Sequence, residues 1–198
     1  MNDYDVIVVG AGNAALAAAV SARENGAKRV AILEKAPKSQ RGGNTFFSGA
    51  IYRFVYNDVK ELDRFVPNAE TEYPGFHAGV EPYPKQAFRD DLMNVTQGRS
   101  DPELSKILID NSYDTVCWLQ DSGKMQFELA MSVMGIRVGN LVRWPKGAFV
   151  RIVHEGVGLS STWFSTAEAM DVDIHYDASV MLLTQDTKGR VSGVVART

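Results

Sequence analysis

The first thirty-four residues contain the pattern that most constrains the fold. Residues 4–9 (YDVIVV) form a short, β-branched apolar run without alternation, which is typical of a parallel strand buried on both faces. A glycine turn at residues 10–12 and an alanine-rich helix at residues 16–25 follow. Residues 29–33 predict a second strand, which ends at Glu34. Strand, glycine turn, helix, strand and acid in this order predict an α/β dinucleotide-binding unit.

Each position of the turn has a physical reason. Gly10 permits a tight turn, and Gly12 has no side chain, so the backbone can approach a pyrophosphate. Ala15 stands where a small residue lets the helix and the strand pack closely. The N-terminus of the helix presents free N–H groups and a partial positive charge, which attract phosphates.

The acid and the loop after it distinguish between dinucleotides. Glu34 can accept hydrogen bonds from ribose hydroxyls and disfavours a 2′-phosphate. An NAD domain normally continues into another helix and strand, whereas residues 41–50 (RGGNTFFSGA) form a glycine-rich loop with hydroxyl and amide side chains. Gly42 and Gly43 allow close backbone approach along a long, bent cofactor. The loop therefore favours FAD, and an NAD-dependent dehydrogenase is the alternative.

These motifs resemble the flavoprotein family of fumarate reductase and succinate dehydrogenase, and within it the tricarballylate dehydrogenase-type flavoenzymes. The resemblance implies that the first glycines hold the FAD diphosphate and that Glu34 holds the adenosine ribose. It also implies that residues 42–50 run beside the diphosphate, ribityl chain and isoalloxazine, with Ala50 where the family often has glycine. The expected FAD-binding residues are Gly10, Gly12, Asn13, Ala14, Ala15, Glu34, Lys35, Gly42, Gly43, Asn44, Thr45, Ser48, Gly49, Ala50 and, near the adenine, Val180.

The rest of the chain is expected to complete one FAD-binding domain over residues 1–198. Residues 53–84 and 125–151 show no periodicity and are predicted to be irregular insertions. Helices are predicted over residues 85–97, from Pro102 to a stop at Gly123, and over 160–170. A strand at 172–176 and a hairpin of 179–184 with 191–196 then give the helix–strand–hairpin order found in FAD domains.

Four basic residues in the second irregular stretch leave two interpretations open. Arg137, Arg143, Lys146 and Arg151 give residues 125–151 a local positive balance. Some of them could face a carboxylate, because the guanidinium fork matches its geometry. A solvated basic face is the favoured interpretation.

Composition excludes several other classes of protein. A net charge of −3 without a long run of one sign disfavours nucleic acid and anionic membranes as partners. A single cysteine, Cys117, cannot form an internal disulfide or a metal site. No apolar stretch is long enough to span a bilayer, and Asp3 and Asp5 replace the basic start of a signal peptide. The expected location is cytoplasmic.

The resemblance also implies a reaction. It is the exchange of a hydride between flavin and a di- or tricarboxylate, with tricarballylate and aconitate as the sharpest candidates and an electron-transfer partner possible. The family's capping domain and catalytic residues lie in a later part of its sequence, so no catalytic residue is predicted here. A truncated nucleotide-binding module without catalysis is the main alternative.

Overall fold

The computed structural model describes residues 3–139, 141–147 and 149–198. Its strands are β1 Val6–Val9, β2 Val30–Leu33, β3 Ile51–Tyr52, β4 Phe127–Leu129, β5 Ile136–Val138, β6 Leu141–Arg143, β7 Val150–Ile152, β8 Asp173–His175, β9 Ser179–Gln185 and β10 Val191–Arg197. Its α-helices are α1 Asn13–Glu24, α2 Gly43–Phe46, α3 Ala69–Glu72, α4 Phe76–Gly79, α5 Lys85–Thr96, α6 Pro102–Asp110, α7 Ser112–Asp121, α8 Met131–Met134 and α9 Glu155–Ala169; 3-10 turns occupy Lys38–Gln40 and Val59–Arg64. The described residues form two compact units, one from the chain up to Ser48 with Gly156–Thr198, the other from Gly49–Glu155.

The first unit is built on a parallel sheet in the order β1-β2-β8. Strand β2 lies in the centre, and Val30, Ala31 and Ile32 are buried there, as the unalternating apolar run predicts. Helix α1 follows the glycine turn and buries Leu16 and Val20 in the same unit. The predicted α/β class with a central parallel sheet is confirmed.

The end of the chain completes this unit with a long helix and a hairpin. Helix α9 begins at Glu155, five residues before the predicted start, and buries Trp163 and Phe164. Strands β9 and β10 pair antiparallel, which confirms the predicted hairpin. Asp186 holds its turn, because the carboxylate accepts hydrogen bonds from the amides of Lys188 and Arg190 at 2.8 and 3.0 Å.

The second unit combines short strands with an aromatic core. Strands β3, β7 and β4 form an antiparallel sheet in that order, and β5 pairs with β6 in a separate hairpin. Residues 53–84 contain helical segments of four to six residues. The described residues between 125 and 152 form four three-residue strands and the short α8. Fully buried rings hold these short elements together, among them those of Phe54, Tyr56, Phe76 and Phe149.

The helix predicted from Pro102 to Gly123 is two helices, so that prediction is wrong in detail. The break lies at Asn111, whose side-chain amide donates to the Ile107 carbonyl at 2.7 Å. Next to it, the Ser112 hydroxyl donates to the Ile109 carbonyl and accepts from the Val55 amide. Asparagine and serine side chains bond to nearby backbone in this way and interrupt helices. The break also changes which residues are inside: Ile109 is buried, whereas Ile107 is 61% exposed.

Candidate cofactor-binding site

The two glycine-rich segments of the first unit line one open groove of about 690 Å³. The groove lies where β1 ends and where α1 and α2 begin. Its lining is Val8 and Val9 together with nine residues of the predicted set: Gly10, Gly12, Asn13, Ala14, Ala15, Gly42, Gly43, Asn44 and Thr45. The structure therefore brings together residues that are about thirty positions apart in sequence. Gly10, as a tight turn requires, has a φ of +93°.

Thr45 joins the two glycine segments. Its hydroxyl oxygen accepts a hydrogen bond from the Asn13 amide at 2.9 Å, so it satisfies the first free N–H of α1. Its carbonyl accepts a hydrogen bond from the Ser48 hydroxyl at 2.8 Å. One side chain thus fixes the second glycine segment against the start of the first helix.

The groove offers donors and no acids. The amides of Gly12, Ala14 and Ala15 have no hydrogen-bond partner within the described residues, and the same holds for Gly43 and Asn44. None of the described residues that line the groove carries a charge. Free amides at the start of α1 attract anions, both as donors and through the helix dipole. The donor set fits a diphosphate.

Glu34 forms hydrogen bonds to the protein backbone. Its side chain is buried, with the residue 8% exposed. One carboxylate oxygen accepts from the Ala11 amide and the other from the Ala36 amide, each at 2.8 Å. The carboxylate therefore fixes the glycine turn against the end of β2. The ribose contact inferred from sequence stays a prediction.

Helix α9 contacts residues of both glycine segments, a support that the sequence did not predict. The Trp163 indole N–H donates to the Asn13 side-chain oxygen at 2.7 Å, and Trp163 is fully buried. Gly42 has a φ of +104°, and a Cβ at this position would meet the Ser160 hydroxyl at 2.5 Å. Gly156 donates its amide to the Ser48 carbonyl at 2.9 Å. The available signal was the pair of glycines at 156 and 158 at the start of a helical segment.

Five residues of the predicted set lie away from the groove lining, in addition to Glu34. Lys35 is exposed, and Val180 pairs with Ala196 in the terminal hairpin. Ser48 contacts Thr45 without lining the groove, while Gly49 and Ala50 belong to the second unit. The FAD contacts of these residues stay predictions.

Ala50 has a backbone conformation that favours glycine. Its φ is +46°, in the left-handed region, where a Cβ costs about 1 kcal/mol. This is a physical reason why the family that the sequence resembles often has glycine at this position. Ala50 is 7% exposed, so its methyl group is also buried.

Two further observations concern metal binding and membrane spanning. No group of three or more metal-ligating side chains is found among the described residues. No helix in the part of the chain that the structure describes is both long enough and apolar enough to cross a membrane.

The chain is similar in sequence and structure to known flavoenzymes. It is 26% identical over 193 residues to the fumarate reductase (cytochrome) of Shewanella frigidimarina, covering 98% of this chain and 29% of that protein. It is 28% identical over 197 residues to the urocanate reductase of Eggerthella lenta, covering 98% and 28%. The solved open conformation of a flavocytochrome c3 fumarate reductase matches it with a TM-score of 0.70 at 26% identity, covering 98% and 30%.

The chain spans less than a third of the length of these relatives. The model of the family described as FAD binding domain matches residues 5–198. The predicted choice of FAD over NAD is thereby confirmed, and the groove of free amides fits the diphosphate of that cofactor. This chain belongs to the FAD-binding domain family of flavin-dependent oxidoreductases, and its cofactor is FAD.

Proposed function

We propose that this chain is the cofactor-binding part of an oxidoreductase that exchanges a hydride between flavin and a di- or tricarboxylate. The observation that carries the FAD part of the proposal is the uncharged groove with its unpartnered amides. The substrate part is supported by the fumarate reductase relative, since fumarate is an unsaturated dicarboxylate. Urocanate, an unsaturated monocarboxylate, supports only the broader class of unsaturated carboxylates. Tricarballylate and aconitate remain the sharpest candidates, and an electron-transfer partner belongs to the proposal.

Different residues of the first unit would bind different parts of the cofactor. The amides of Gly12, Ala14 and Ala15 would bind the diphosphate, because they are free donors at the start of a twelve-residue helix. Glu34 would act on the same turn by holding the Ala11 amide in place. The second glycine segment would extend the binding surface beyond the diphosphate.

This arrangement indicates which steps FAD would carry out and which the groove residues would carry out. FAD, when bound, supplies the hydride transfer, which no protein side chain can perform. The described residues of the groove bind and orient, and none of them has a titratable side chain that could move a proton. Acid–base chemistry on the substrate therefore needs residues outside the groove lining. A module that binds the nucleotide without catalysis is the alternative that the same observation favours.

The reaction is tested in the whole protein, loaded with FAD under anaerobic conditions. Oxidation of reduced methyl viologen is followed spectroscopically after addition of fumarate, aconitate, urocanate or the neutral analogue fumaramide. The proposal expects turnover with a di- or tricarboxylate and none with the amide. Turnover with fumaramide at the same rate would contradict the substrate class. FAD binding without turnover of any of these compounds would favour the non-catalytic module.

A further inference from the structure

The second unit contains its own pocket of about 630 Å³, which the proposed function does not use. Helix α4 forms one wall and strand β6 with the residues after it forms the other. The walls meet closely: a Cβ on Gly75 would lie 3.5 Å from the Leu141 methyl carbon, and one on Gly79 would lie 3.6 Å from the Val142 carbonyl. The volume is within the usual range for small-molecule sites, which is about 300–1,000 Å³.

One cation of the pocket lining has no counterion among the described residues. Lys146 forms an ion pair with Glu81, so these two lining charges neutralise each other. Arg143 also lines the pocket; it is exposed to solvent, and no ion pair or hydrogen bond joins it to another residue that the structure describes. Arg151, by contrast, is held by Glu128 at 2.8 Å and by a second carboxylate. Of the basic residues in this stretch, Arg143 is therefore the one that lines a cavity with its charge unmatched.

The wall beside Arg143 contains two large apolar side chains, those of Leu141 and Trp144. Leu141 is 59% exposed although its side chain is fully aliphatic. The Trp144 ring is fixed by edge contacts to Tyr73 and Phe76, at centroid distances of 5.6 and 6.0 Å. Trp144 lines the pocket, and its indole nitrogen is buried without a partner in the described part of the chain. A flat apolar body fits such a wall.

We propose that this pocket binds a carboxylate with an apolar or aromatic body. The carboxylate is held by the Arg143 guanidinium, whose planar fork can donate two parallel hydrogen bonds to it. The body lies against Leu141 and Trp144. The inference goes beyond the proposed function, because it depends only on the second unit and requires no flavin.

The test is calorimetric titration of the full chain with trans-cinnamate and with the neutral cinnamamide. Cinnamate is expected to bind at least ten-fold more tightly than the amide, since a hydrogen-bonded charge pair contributes roughly ten-fold or more in affinity. Arg143→Gln is expected to remove this preference. Arg137→Gln is the matched control, because Arg137 is an exposed arginine on the paired strand β5 outside the pocket lining.

Three results would overturn the proposal: no cinnamate binding at millimolar concentration, equal affinity for acid and amide, or an equal loss in both arginine variants. Far-UV circular dichroism and FAD titration of each variant show that the fold is intact. Because FAD binds in the first unit's groove, a chain that binds FAD but not cinnamate refutes this inference alone. A chain that binds cinnamate but not FAD refutes the FAD groove instead.

Discussion

Gly156 gives the sharpest test of how the groove is supported. It lies near the start of α9, and a Cβ on it would stand 2.2 Å from the Thr45 carbonyl oxygen. The same Cβ would be 2.6 and 2.7 Å from the carbonyl oxygens of Phe46 and Ser48. These are backbone atoms, so no side-chain rotation can relieve the overlap. The substitution Gly156→Ala must therefore displace either the helix or the second glycine segment.

The sign of the change in unfolding free energy distinguishes the close approach at Gly156 from the effect of helix propensity. In a helix without neighbours, replacing glycine by alanine stabilises by about 0.5–1 kcal/mol. Relief of the overlap requires a shift of roughly 1 Å to reach ordinary contact distance, and forced overpacking of this kind costs about 1–3 kcal/mol. We expect Gly156→Ala to lower the free energy of unfolding by about 2 kcal/mol. FAD affinity should fall as well, since the displaced segment carries Thr45, which caps the Asn13 amide.

The assay is urea unfolding of the apo chain together with FAD titration. Val157→Ala is the matched control, because Val157 is the next residue of the helix and is 49% exposed. The control should stay within about 0.5 kcal/mol of the parent chain. A Gly156→Ala chain that is more stable than the parent and binds FAD equally would refute the close approach.

Three further predictions concern single contacts. Thr45→Val removes the acceptor of the Asn13 amide and should lower the free energy of unfolding in urea by about 1 kcal/mol. Thr45→Ser keeps the hydroxyl and should retain most of that stability. Glu34→Gln replaces one of two carboxylate acceptors by a donor, so FAD affinity measured by fluorescence quenching should fall about ten-fold, and an unchanged affinity would contradict the positioning role. The Lys106 ammonium lowers the pKa of Asp110 to about 2, below the ordinary 3.8. The stability that the charged Asp110 side chain contributes is therefore present above about pH 4 and is lost as the pH falls towards 2. The difference in Tm between the parent and Asp110→Asn should therefore shrink over that range, and in high salt.

The local parts of the fold were predictable because their causes are local. An unalternating apolar run followed by a glycine turn and an alanine-rich helix gave β1, α1 and β2 nearly at their observed bounds. The position of Glu34 at the end of β2 followed from the same spacing. The two glycine segments were both identified as cofactor-binding, and the structure brings them to one groove.

The remaining features depend on contacts between residues distant in sequence. Trp163 supports Asn13 across 150 residues, and no local pattern signals such a pair. The hydrogen bonds of the Glu34 carboxylate depend on which backbone amides the fold brings within reach, so spacing alone did not predict them. The basic stretch could not be resolved either, because only the fold shows that Lys146 has a partner and Arg143 has none among the described residues.

The most direct test of the central claim is an FAD titration of the parent chain and of Gly12→Ala, followed by flavin absorbance and by calorimetry. A Cβ on Gly12 would meet only the Thr45 hydroxyl, at an ordinary 3.5 Å, so the apo fold should stay within about 1 kcal/mol of the parent. The same methyl would occupy part of the groove where we propose that the diphosphate binds. We predict that the parent chain binds FAD in preference to NAD and that Gly12→Ala loses at least ten-fold in FAD affinity. Equal FAD affinity of the two chains, or a preference for NAD, would contradict the assignment of this groove.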